Sequence, residues 1–173
     1  MKLPFLLCSM LLILSFPARA QSAETYAGTW RIEPSQRPNS VALTLTYRRH
    51  NAGGNDQWEE SNDFPFSQLR GLSPGDLDSS GEHKRFTIAG DAGEFDADGW
   101  FAHRQGSGTW TFVPNASLGD ELQRRGIGRP SERQQFELAI GGFRLSTLDA
   151  LRNAGFQTPN IDDLVRMKAL KII

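Results

Sequence analysis

The chain has 173 residues, a formal net charge of −1, 38% hydrophobic and 10% aromatic residues, which excludes a disordered or fibrous protein and limits it to one domain or two small ones. The near-balanced charge supplies no basic field for nucleic acid, and a single cysteine excludes a disulfide framework and a cysteine-built zinc site.

Residues 1–20 read as a signal peptide. Met1 and Lys2 begin it, an apolar run from Leu3 to Phe16 follows, and Ala18-Arg19-Ala20 supplies the small-residue exit read by a signal peptidase. The run is shorter than the roughly 20 residues of a membrane-spanning helix. Cleavage after Ala20 leaves 153 residues without cysteine and with 17 basic against 20 acidic side chains. The expectation is a periplasmic or secreted protein that is not an integral membrane protein after cleavage and has no affinity for nucleic acid.

Residues 21–114 form an expected antiparallel β-domain. Apolar residues recur at every second position: Trp30 and Ile32; Val41, Leu43, Leu45 and Tyr47; Trp58 and Phe64; Phe86 and Ile88; Phe95, Ala97, Gly99 and Phe101; Trp110 and Phe112. Asn51 to Asp56, Asp91-Ala92-Gly93 and Gln105 to Gly108 read as turns, and Pro65 to Ser80 as a loop with one helical turn. About six strands are predicted, arranged as a meander that is curled or closed into a small barrel.

Residues 115–173 form a short helical repeat region, so the fold class is α+β. Ser117 with Asp120, Ser131 with Gln134, Ser146 with Asp149 and Asn160 with Asp163 have the spacing of helix starts, and Gly126, Gly141 and Gly155 mark stops. Four helices of about nine residues are too short to persist alone in water and must pack. An internal repeat at an offset of 29 matches Leu122 with Leu151, Gly126 with Gly155, Ile127 with Phe156, Pro130 with Pro159, Leu138 with Met167 and Phe143 with Ile172.

No catalytic constellation is supported, and the chain is read as a non-enzyme with no cofactor and no metal. Gly71-Leu72-Ser73-Pro74-Gly75 spells a nucleophile elbow, but Pro74 has no N–H to give an oxyanion. Glu94, Asp96, Asp98, Gly99 and Gln105 fall at calcium-loop positions, yet Gln105 cannot supply a bidentate carboxylate, and a solvated strand face accounts for them. His50, His83 and His103 lack metal-ligand spacing. Asn115-Ala116-Ser117 spells a glycosylation sequon whose simpler role is to cap the first helix. Strict alternation turns Trp100 away from Phe95 and Phe101, which makes an outward Trp100 beside Arg104 the candidate binding residues.

Ala27-Gly28-Thr29-Trp30 resembles the first strand of lipocalin-like and avidin-like barrels. The segment Gly106 to Asn115, with Gly99-Trp100-Phe101 before it and Phe136 to Ile140, Gly155-Phe156 and Asp162 to Met167 behind it, resembles uncharacterised bacterial envelope proteins that join a β-domain to Leu- and Gly-punctuated helical repeats. Similar repeats stand behind membrane peptidases of the β-lactam-sensor type. That pattern ends in His-Gly-Val where this chain has Gly141-Gly142-Phe143 and Leu170-Lys171-Ile172. The resemblance implies structural motifs and no catalytic residue. The expected function is an exported binding module for a protein or envelope component. The alternative is a carrier of a small apolar ligand, with a cavity lined by Trp30, Leu43, Leu45, Phe86, Phe101 and Phe112.

Overall fold

The computed structural model describes residues 26–51 and 54–170, with the backbone alone at 48–51 and 54–56. The expected signal peptide, residues 1–20, lies outside the described residues, as do Ile172 and Ile173. The strands are β1 (Ala27–Pro34), β2 (Ser40–Asn51), β3 (Gly54–Pro65), β4 (Leu69–Arg70), β5 (Ser80–Gly90), β6 (Gly93–Ala102) and β7 (Gln105–Pro114). β1, β2, β6 and β7 follow the two-residue period of a strand with one buried face. On β6, Phe95, Ala97, Gly99 and Phe101 are buried, whereas Asp96 and Trp100 are exposed.

All seven strands form one antiparallel sheet in the order β3-β2-β1-β7-β6-β5-β4. The fold class is α+β, with seven strands instead of about six. The additional strand, β4, lies within the segment expected to be a loop, and two residues are too few to display a period. Single 3-10 helices, Phe66–Gln68 and Pro74–Asp78, flank it. First and last strands pair, Trp30 opposite Gly108, as in a closed meander barrel. After β3, however, Pro65 and the 3-10 turn at Phe66 lead the chain away. β3 and β4 therefore end up at opposite edges, and the sheet is a curled half-barrel.

Aromatic rings fill the concave face. Trp30 meets Phe86 edge-on at 5.0 Å between ring centroids and Phe101 at 5.3 Å, and Phe95 lies 5.3 Å from both Trp110 and Phe112. Glycines make room for the two indoles. A Cβ at Gly99 would collide with the Trp30 ring and with the Ser107 carbonyl, and one at Gly28 would collide with the Trp110 ring. With that space, Trp30 Nε1 donates to the Asp98 carbonyl (3.2 Å) and Trp110 Nε1 to that of Thr29 (3.0 Å), so both buried N–H groups are satisfied. Trp30, Leu43, Leu45, Phe86, Phe101 and Phe112, expected around a cavity, all belong to this packed cluster.

The four helices are α1 (Leu118–Arg124), α2 (Glu132–Ile140), α3 (Leu145–Asn153) and α4 (Ile161–Ala169). Two of the expected caps form: Ser131 Oγ accepts from Gln134 N (3.2 Å) and Asn160 Oδ1 from Asp163 N (2.9 Å). The other two are corrected. Ser117 makes no capping bond. Asn115 Oδ1 instead accepts from Ser117 N and Oγ, and its Nδ2 donates to the Asp91 carbonyl. α3 begins at Leu145, one residue before Ser146. Its first N–H is taken by Asp91 Oδ2 at 2.6 Å, a cap supplied by the β5–β6 turn 54 residues away. Gly126 and Gly155 are left-handed stops as expected, whereas Gly141 has φ −70° and Gly142 takes the left-handed place with φ 67°.

α2 joins sheet and helices. Phe136 stacks on Tyr26 at 4.2 Å and lies 5.2 Å from Tyr47, inside the aromatic cluster. Leu138 instead belongs to a second cluster with Ala92, Leu118, Leu122, Ile127, Phe143, Leu148 and Leu164. Between the two, buried Gln135 donates from Nε2 to the carbonyls of Ala92 (2.8 Å) and Asn115 (2.7 Å).

Candidate functional site

Trp100 is 60% exposed on the convex face of β6, as its place in the alternation requires. Register places His83 of β5 and Ser107 of β7 on either side of it. The His83 ring meets the indole edge-on, centroids 5.2 Å apart, and His83 Nε2 lies 2.7 Å from Asp98 Oδ1. Arg85 Nε donates to the other oxygen of Asp98 at 2.7 Å. The hydrogen bonds from Arg85 and then His83 hold the Asp98 carboxyl below the usual carboxylate range, because both partners favour the charged form. The patch is thus an indole beside a fixed Arg–Asp–His array on a hydrogen-bonded sheet.

Arg104 is not brought against this indole. It is the second residue of the two-residue turn between β6 and β7, where His103 (φ 52°) and Arg104 (φ 62°) are both left-handed, the geometry that matches strand twist in a tight hairpin. From there Arg104 Nε reaches to 3.9 Å from Asp78 Oδ1. The neighbours of Trp100 missed in the sequence are His83, Arg85 and Asp98. Asp98 and Trp100 share outward parity, but placing His83 beside them needs the β5–β6 register, which periodicity does not supply.

The other candidates fall into structural roles. Glu94, Asp96 and Asp98 line the outer face of β6 as a solvated strand, meeting Arg70 (2.6 Å), Thr87 (3.1 Å) and Arg85 respectively. Ser73 donates its hydroxyl and its N–H to Asp76 Oδ2, both at 2.7 Å, leading a 3-10 helix rather than a strand-to-helix elbow. Asp76 also holds Lys84 Nζ at 2.8 Å, and these bonds, that from Lys84 foremost, depress its carboxyl. Among the described residues no group of three or more metal-ligating side chains converges, and no helix is long and apolar enough to cross a membrane.

The concave face carries a groove of about 540 Å³ at the β3 edge, at a place the sequence did not suggest. Trp58, Glu60 and Asn62 of β3 form one wall, and Ile140 of α2 with Val165 and Lys168 of α4 the other. It exists because β3, as an edge strand, continues the concave surface beyond the aromatic filling. Burial lowers the pKa of Lys168, and the Arg144 charge adds to the effect. A smaller recess of about 210 Å³ behind Trp58 is lined by Tyr26, Tyr47 and Phe136.

No protein-family model, curated protein or solved structure matches this chain.

Proposed function

We propose that the protein is a non-enzymatic interaction module of the bacterial envelope, exported after removal of residues 1–20, whose convex sheet face binds a protein or envelope component through Trp100. The observation that carries this reading is the 60% exposure of Trp100 beside Glu94, Asp96 and Asp98 on the outer face of a regularly paired strand. Exposed indoles are costly to leave in water and are the residues that most often supply binding energy at an interface. The flanking Arg85–Asp98–His83 array gives the polar rim such a contact uses. The resemblance to β-domain and helical-repeat envelope proteins supports the same reading.

Replacing Trp100 by a photoreactive phenylalanine in the producing cell tests it. The expected result is a discrete adduct, absent when the same probe replaces exposed Arg31 and lost on competition with the unlabelled protein. An adduct pattern identical at the two positions counts against the proposal.

The groove along β3 favours a second reading, in which a small ligand is carried. With Glu60, Asn62, Glu137 and Lys168 among its walls, the groove suits an amphipathic molecule better than a purely apolar one. Displacement of a bound anilinonaphthalene sulfonate probe by Trp58→Ala, with unchanged melting, is the result expected of it.

A further inference from the structure

The helical region contains its own precedent for what covers an apolar helix face. Its two hairpins repeat in three dimensions at the offset read from the sequence. α2 spans 132–140 and α4 spans 161–169, and α1 and α3 end at 124 and 153. Their turns match bond for bond. Gly126 (φ 79°) is followed by Ile127, whose N–H donates to the Leu122 carbonyl at 3.0 Å. Gly155 (φ 82°) is followed by Phe156, whose N–H donates to Leu151 at 3.1 Å.

In the first copy Leu122, Ile127 and Leu138 are buried, in one cluster with Leu148 and Leu164 of the second copy. Two polar contacts span the same interface, Arg125 to Asp149 and Gln134 to Asp162, each 2.7 Å. One copy later, the positions matching Leu122, Ile127 and Leu138 are Leu151, Phe156 and Met167. Phe156 is 65% exposed, and Leu151 and Met167 are half-buried. Beside Leu151 and Phe156 lies a groove of about 270 Å³ that Leu148, Arg152 and Pro159 also line. Gln134, the donor to Asp162, is matched by Asp163, a carboxylate that has Arg166 of its own helix at 3.7 Å and can accept from a further basic side chain in the same place.

Stacked repeats bury one continuous core, and a terminal copy that ends an array has a polar outer face. The second copy here has an apolar outer face. We propose that the Leu151–Phe156–Met167 face, continuous with the interface joining the two hairpins, docks a third helical hairpin of the same class. Another protein presents that hairpin, with a basic side chain where Asp162 stands in the second copy. The inference is independent of the reading of Trp100.

The test extends the full chain by a hairpin carrying the sequence of residues 144–170 at the same spacing, with Asp162→Lys in the added copy. Amide exchange across α3 and α4 should slow about tenfold, and a Phe156→Trp reporter should shift its emission to the blue. Leu151→Asp should abolish both effects while leaving the melting of the unextended chain unchanged. Exchange that does not slow, or slowing that survives Leu151→Asp, overturns the proposal. So does a dimer of the unextended chain in sedimentation velocity that Leu151→Asp dissolves, since the face would then belong to a second copy.

Discussion

The half-barrel and the helical array bury their apolar residues by different means. In the half-barrel, aromatic rings from β1, β5, β6 and β7 interlock over inward glycines, and each strand pair adds a ladder of backbone bonds between residues far apart in sequence. In the array, helices of seven to nine residues share a smaller and mostly aliphatic cluster. Besides Phe136 of α2, which enters the aromatic cluster, polar links fix them to the sheet side: Asp91 to Leu145, Arg144 to the Ala89 carbonyl, and Gln135 to Ala92 and Asn115. A packed aromatic core resists local opening because each ring touches several others, whereas short helices depend on each polar link and each leucine. The difference suits a rigid platform that carries a more pliable array.

The largest effect should come from the residue common to both regions. Phe136→Ala removes the ring that stacks on Tyr26 and reaches Tyr47 and Phe112, and should cost about 3–5 kcal/mol in denaturant unfolding. Sheet and helices should lose stability together. Leu164→Ala empties a fully buried position in the array alone and should cost about 2–4 kcal/mol. Far-ultraviolet helical signal should then melt ahead of the near-ultraviolet signal of the buried tryptophans. If the two signals stay coincident, the array is not separable from the sheet.

Gln135→Ala removes two hydrogen bonds, leaving the Ala92 and Asn115 carbonyls with only the backbone N–H groups of Asn115 and Leu118, and should cost about 1–3 kcal/mol, again read first in the helices. The smallest effect concerns the 3-10 turn on the sheet side. Asp76→Asn weakens the bonds to Ser73 and Lys84 and should cost about 1 kcal/mol at neutral pH. Asp76 is depressed in the folded state, so its contribution is complete above the unfolded carboxylate range and disappears as pH falls through the folded value. The stability of the native chain should therefore drop more steeply in acid than that of Asp76→Asn. Equal slopes would show that Asp76 is not engaged.

The two regions also differed in how far the sequence disclosed them. Alternation placed Trp30, Leu43, Phe101 and Trp110 on a buried face and Trp100 on the open one, because a strand's period is a local property. The pairing of β1 with β7 and the seam between β3 and β4 are non-local, and no period encodes them. For the helices, Ser131 and Asn160 cap their own turns and were legible. The cap of α3 was not, since Asp91 supplies it from the β5–β6 turn in place of Ser146. At the candidate site, Trp100 followed from parity alone. His83 required the register of a neighbouring strand, and Arg104 was drawn toward Asp78 by the left-handed turn.

Native-state hydrogen exchange across the whole chain tests the division between platform and array most directly. The amides of β1, β6 and β7 should exchange only through global unfolding, while those of α3 and α4 exchange through a smaller opening that leaves the sheet protected. Protection of α3 and α4 equal to that of β6 and β7 at every denaturant concentration would contradict the account.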